Sequence, residues 1–334
     1  MRKLAQLIKL QDYISRYELD LYHYSSEYPK LKKKFWNATY ERWNEDSEEE
    51  QIDDDILFEE PSKLQSFKKA LNVKNYFKKS NQLEEHHEAK VEQSYDDSIT
   101  IISKKRLNAL NSEDDLKQLF LDEILPIQIR WASSTALEQS PLKRKYQYES
   151  ALKFFIQRFP DNYLCMYKPV FIIRNAPIEL DTILISPVAI HCVKIIEGRD
   201  NSVMVASNEK FWTEKYMDEQ SKILNPLISL DRTYNIVKAL LNKNNNEFPI
   251  KKLLLTKKQY VDFSTIPYDL QVIDKKSYSD WFNSMRKLSS PVKHSQLKAA
   301  QILLSSCHTI AKNRVEVIGN NIVDVEHAFD DKEN

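Results

Sequence analysis

Acidic and basic side chains suited to phosphodiester chemistry sit close together in KPVFIIRNAPIELDTILISPVAIHCVKIIEG, residues 168 to 198. Glu179 and Asp181 lie on one expected strand, Cys192 and Lys194 on the next. Alternate residues of a strand share a face, so Glu179 points with Asp181, and Cys192 with Lys194. The Ser186-Pro187 turn makes the two strands neighbours. Glu149, near the start of a preceding helix, reaches the same spot if that helix packs across the sheet edge. Two or three carboxylates around a hard divalent cation, beside a lysine that orients or deprotonates water, would serve phosphodiester hydrolysis. The metal stabilises the charged phosphorus centre and generates the nucleophile. Such a site would use Glu149, Asp181 and Lys194 as catalytic groups, and Glu149, Asp181 and Glu179 as ligands of magnesium or manganese. Lys194 also has a plainer reading, a part-buried ion pair with Asp181 that serves only the scaffold.

The elements that must position these residues follow from periodicity and breaks. Tyr146 to Phe159 reads as a helix with Leu152, Phe155, Ile156 and Phe159 on one side. Tyr163 to Met166, Pro169 to Ile173, Ile178 to Ile185 and Ala189 to Ile196 are rich in residues that strands favour. Phe211 to Leu224 is expected as a helix, and Asn225-Pro226 starts another running to about Asn242. Strands at Leu253 to Thr256 and Leu270 to Ile273, then helices at Tyr278 to Lys287 and Ser295 to Cys307, close the fold. Upstream, Ser112 caps a helix whose apolar face is Leu116, Leu119, Phe120, Ile124 and Leu125.

This order resembles the nuclease-related domain family, of the PD-(D/E)XK nuclease-like fold, over about residues 145 to 275. The resemblance rests on a helix with Glu149, a strand with Glu179-Leu180-Asp181, a strand ending Val193-Lys194, a turn at Gly198, and the Asn225-Pro226-Leu227 entry to a long helix. It implies an α+β protein in which a helical N-terminal region precedes a mixed sheet flanked by helices. The family pattern has Glu-x-Lys on the third strand, where this chain has Cys192-Val193-Lys194. A thiol is a poor ligand for magnesium, so the position is degenerate and catalysis is expected to be impaired. His191 and Glu197 fall on the opposite strand face by the period-two rule, unless a bulge re-aims one of them.

The N-terminal region offers the second candidate surface. Leu7, Leu10, Ile14, Tyr17, Leu21 and Tyr24 alternate steps of three and four, which predicts an amphipathic helix ending before Pro29. In the next helix, over residues 29 to 43, Lys30, Lys32, Lys33 and Lys34 lie beside Trp36 and Tyr40. These residues suit a nucleic-acid strand, by charge neutralisation and base stacking, or a helix with an aromatic core face and solvated lysines. The resulting partition is residues 1–43 helical, 44–60 an acidic linker, 61–144 helical, 145–275 the α/β core, 276–312 C-terminal helices and 313–334 a loose acidic tail. Adjacent His86 and His87 would splay around a helix, making them poor metal ligands.

Composition narrows the classes. Lysine plus arginine equal aspartate plus glutamate, 49 against 49, so any binding to DNA or RNA must come from a local patch. Two glycines in the whole chain exclude a Walker A loop and a dinucleotide fingerprint. Three scattered cysteines fit neither a disulfide framework nor a structural zinc site, which suits a reducing cytoplasm. Nowhere does an apolar run reach the roughly 18 residues of a membrane span. Three functions remain: a nucleic-acid binder with a degenerate metal site, an active metal-dependent nuclease, or a scaffold holding a protein partner through its N-terminal helices.

Overall fold

The computed structural model describes residues 4–44 and 102–314. The expected linker from residue 45 on, the charged stretch with His86 and His87, and the acidic tail lie outside these residues. The chain begins with strand β1 (Gln6–Leu10), then helices α1 (Arg16–Leu19), α2 (Leu21–Asn44), α3 (Lys104–Asn108) and α4 (Glu113–Trp131). Short strand β2 (Glu138–Gln139), a 3-10 turn at Arg144–Gln147 and helix α5 (Ser150–Arg158) follow. Strands β3 (Leu164–Tyr167), β4 (Val170–Ile173), β5 (Ala176–Glu179), β6 (Thr182–Ile185) and β7 (Ile190–Ile195) come next. Then come β8 (Val203–Val205), β9 (Phe211–Tyr216), β10 (Glu219–Leu224), α6 (Leu227–Lys243), β11 (Ile250–Leu255), β12 (Tyr260–Asp262) and β13 (Leu270–Ile273). Helices α7 (Tyr278–Lys287) and α8 (His294–Leu304) and strand β14 (Lys312–Asn313) complete the series.

The fold is mixed α+β. Its main sheet has the order β1-β3-β6-β7-β11-β13. β6 is antiparallel to β3 and β7, while β1 with β3, β7 with β11 and β11 with β13 run parallel. Both faces are buried. Ile8, Met166, Ile183, Cys192 and Leu254 face a cluster fed by α2, α6 and α8. Leu7, Cys165, Leu184, Val193 and Leu253 face a second cluster, where α5 and α7 supply Phe155, Phe159 and Trp281. Burying a large apolar side chain stabilises the fold by about 1.5–3 kcal/mol, so a sheet enclosed on two sides is the main source of its stability.

Two sequence expectations are corrected here. Residues 7 to 10 form a strand, not the first turn of a helix. All five residues of β1 are buried, as in a strand packed on both faces. A register shift between Leu7 and Lys9 bulges the strand, so Leu7 and Leu10 face one cluster while Ile8 faces the other. Gln11, with φ 47°, ends it. Ser15 then caps α1 with a capping box closed by Glu18. The edge of β1 is covered, since Leu7 N donates to Gln128 Oε1 of α4 (2.9 Å) and Ala5 N to the Ile156 carbonyl of α5 (3.0 Å).

The second correction falls on residues 211 to 224, which form the β9–β10 hairpin, not a helix. The hairpin belongs to a smaller sheet ordered β10-β9-β8-β12. Trp212 and Glu214 alternate inward, and Met217 at φ 50° makes the turn. Glu214 accepts from Arg199 N (2.7 Å) and Ser221 Oγ (3.2 Å). Gly198 sits against it: a Cβ there would lie 2.3 Å from Met204 Cε and 2.6 Å from Glu214 Oε1, so a larger residue would have to push both side-chain ends aside.

Lys9 is fully buried, and its ammonium reaches Glu18 and Thr309 Oγ1 (2.6 Å). Removing one member of a buried pair strands the other. Lys9→Ala should cost about 3 kcal/mol in urea unfolding. His191 is also enclosed, at 4% exposure, with Nδ1 lacking a partner, and burial with the nearby Lys251 charge holds its pKa down to about 4. Above its ordinary value of 6.5 the imidazole is neutral in both folded and unfolded chains and adds no pH dependence. As pH falls from there towards 4, the unfolded chain takes up a proton that the native one refuses, and stability drops. Chemical denaturation should show wild type losing about 2 kcal/mol more than His191→Leu between neutral pH and about pH 4.5.

Candidate functional site

Where β3 ends, β6 begins and β7 ends, the sheet leaves a cavity of about 280 Å³, lined by Glu149, Tyr167, Lys168, Asp181, Lys194 and Glu197 among others. Each acid arrives from a different element. Glu149 occupies the extended N-cap position of α5, Asp181 immediately precedes β6, and Glu197 follows β7. Asp181 N donates to Thr233 Oγ1 of α6 (3.0 Å), which fixes the entry to β6. In the β6–β7 register Thr182 faces Val193, placing Asp181 beside Lys194.

The charges are met in pairs. Lys194 Nζ donates to Asp181 Oδ1 at 2.9 Å, the side chains being 31% and 12% exposed. Asp181 Oδ2 is buried without a hydrogen-bond partner. Glu149 Oε1 accepts from the Tyr167 hydroxyl and from Lys168 Nζ (2.9 Å). Burial alone would raise the Glu149 pKa, but the Tyr167 hydrogen bond and the Lys168 ammonium outweigh it and hold the carboxyl below its ordinary value. Lys168 has φ 47°, an uncommon backbone state for a residue with a Cβ. Neither Tyr167 nor Lys168 was among the residues expected from sequence. Their only signal is a tyrosine and a lysine where an apolar strand meets a proline.

Glu179 is not brought to this place. It ends β5, which pairs only with β4 in a separate two-stranded sheet, and its Oε2 accepts from Gln11 Nε2 at 2.8 Å. Glu179 and Asp181 therefore do not share a strand face, because the chain leaves one sheet and enters another between them. Glu197 is the opposite case. Expected on the far face, it lines the cavity because β7 stops at Ile195 and strand alternation no longer applies. Cys192 is wholly enclosed, and burial, with the Asp181 charge adding to it, pushes its thiol far above the ordinary range.

The set fits a resident divalent cation poorly. Among the described residues no group of three or more His, Cys, Asp or Glu side chains is placed to hold a metal ion. The trio of Glu149, Asp181 and Glu179 does not assemble, Cys192 offers a neutral thiol in the core, and Glu149 and Asp181 each already carry an ammonium at 2.9 Å.

The N-terminal lysine surface is also divided. Lys32 is 2% exposed and ion-paired with Asp161, and Trp36 is buried, stacked on Tyr40 and edge-on to Phe120. They hold α2 to the core and are not available to a ligand. Lys30, Lys33 and Lys34 point outward, Lys30 paired with Glu27 at 2.7 Å.

No family model matches the chain, and no solved structure does. A stretch of 40 residues is 52% identical to part of a Geobacillus stearothermophilus protein described as an RNA 2',3'-cyclic phosphodiesterase, the match spanning 12% of this chain and 13% of that protein. No helix among the described residues is long and apolar enough to cross a membrane.

With Lys168→Met, Glu149 loses its ammonium while keeping its burial. Its carboxyl should then titrate at higher pH than in wild type, which carbon NMR of the glutamate side chains would show.

Proposed function

We propose that this chain is a degenerate member of the PD-(D/E)XK nuclease-like fold that binds nucleic acid without cutting it. One observation carries the reading: the sheet end is filled by two carboxylate–ammonium pairs, Glu149 with Lys168 and Asp181 with Lys194, while Cys192 is sealed into the core. A hard cation needs several free oxygens, and an ammonium beside each acid competes for the same charge. On this reading Glu149, Asp181 and Lys194 stand where a metal-dependent nuclease would hold its site, with the balance of charge changed. The short likeness to a protein named for chemistry on RNA puts RNA beside DNA among the ligands to try.

A second reading, an active nuclease, draws on the unpartnered Asp181 Oδ2 and on Glu197 in the same cavity. Calorimetric titration with manganese and magnesium, run beside Asp181→Ala and followed by cleavage assays on single- and double-stranded DNA and RNA, separates the two. The degenerate reading expects no saturable metal heat and no cleavage, together with salt-sensitive binding of nucleic acid. Metal-dependent cleavage that vanishes in Asp181→Ala would establish the enzyme instead. A protein free of both activities would leave the partner-holding scaffold.

A further inference from the structure

Three loops follow the parallel strands β7, β11 and β13, side by side in the sheet. They carry Arg199, Lys257, Lys258, Lys275 and Lys276, all exposed. One enclosed residue ties the loops together. The Gln259 side chain donates from Nε2 to the carbonyls of Gly198 (2.7 Å) and Arg199 (3.2 Å), while the residue's main-chain carbonyl accepts from Lys275 N (2.9 Å). Asn201 N donates to the Lys258 carbonyl and Tyr260 N to the Ser202 carbonyl, both at 2.9 Å. The lysines therefore stand on a fixed ridge, and nucleic acid would meet an ordered row of charges.

Aromatic rings alternate with these cations. Lys275 and Lys276 lie 5.4 and 5.7 Å from the Tyr260 ring centre, Lys257 lies 5.7 Å from that of Tyr278, and Arg199 lies 5.3 Å from that of Tyr216. Acids share the loops, so net charge is not what marks the ridge. Asp200 pairs with Lys258, and Asp274 turns its carboxylate inward to Ser277 and the Lys276 amide. Lys257, Lys275 and Lys276 have no carboxylate partner among the described residues. The ridge begins where the cavity ends, because Ile195 and Glu197 line that cavity and Gly198 and Arg199 accept from Gln259.

We propose that this ridge is a track for single-stranded nucleic acid, with Lys257, Lys258, Lys275 and Lys276 on the phosphates and Tyr260, with the face of Tyr278 not stacked on Phe282, offering ring surface to bases. Ligands of sheets with parallel strands gather at the strands' carboxyl ends, and a flexible lysine can leave a tyrosine face for a phosphate. An acidic peptide would use the charges but not the rings. The inference rests on the nucleic-acid-binding reading above and moves its surface away from α2, where Lys32 and Trp36 are buried.

The test is fluorescence anisotropy of labelled oligo(dT) and oligo(U) with the full chain over a range of salt. Four lysines on single-strand phosphates give a log–log salt slope of about −3. The quadruple change of Lys257, Lys258, Lys275 and Lys276 to Glu should weaken binding at least about 10-fold and flatten the slope. Lys257→Ala with Lys276→Ala, milder for folding, should shift both in the same direction, and Lys33→Glu with Lys34→Glu should shift neither. Wild-type binding that survives unchanged in both ridge variants would overturn this inference and leave the broader reading in place. Equal competition by polyglutamate would overturn it in favour of an acidic-peptide surface. Absence of binding by the wild type would overturn both readings together.

Discussion

A sheet buried on both faces leaves polar groups nowhere to go but its ends. In this protein helices cover each face of the six-stranded sheet, and the enclosed strand residues are nearly all apolar. Among the exceptions, Lys9 is held by Glu18 and Thr309, while His191 meets Ser186 through one ring nitrogen only. Any function that needs charge must therefore be built where strands stop. The cavity between β3, β6 and β7 and the lysine ridge beyond β7, β11 and β13 both lie at strand ends. The two features are consequences of one packing constraint.

At the cavity that constraint meets electrostatics. Carboxylates drawn into a partly closed site repel one another unless something neutralises them. A divalent cation is one solution, and an ammonium for each acid is another. The chain shows the second, with Lys168 set by an uncommon backbone angle and Lys194 by strand register. With Cys192 facing the core, the thiol neither adds charge nor competes for a proton near neutral pH. What remains is a polar end whose charges are largely satisfied internally.

Much of this could be read from the residues. The strands from residue 164 to 195 announce themselves by β-branched and aromatic runs, and α7 was expected over the residues it occupies. The Asp181–Lys194 pair followed from a short turn and alternation. Two misreadings have definite causes. Leu7, Leu10, Ile14, Tyr17 and Leu21 are all buried, as their spacing suggested, but they span a strand, a turn and two helices whose burial mimics one helical face. The β9–β10 hairpin escaped because one of its inward residues is Glu214, so its period of two is not an apolar period. Lys168 meeting Glu149 was not legible either, since that contact depends on a positive φ after β3 and on how α5 is docked.

The pairing of β1 has a consequence for how the molecule is made. Gln6 lies opposite Leu164, and Lys9 finds its hydroxyl partner 300 positions later at Thr309. A chain emerging from the ribosome must make β1 long before β3, the strand it pairs with in the finished sheet. Contacts this distant in sequence close slowly, and an unpaired strand is open to the wrong neighbour in the meantime. The same strand that completes one edge of the finished sheet is thus a segment in need of protection while the protein is being born.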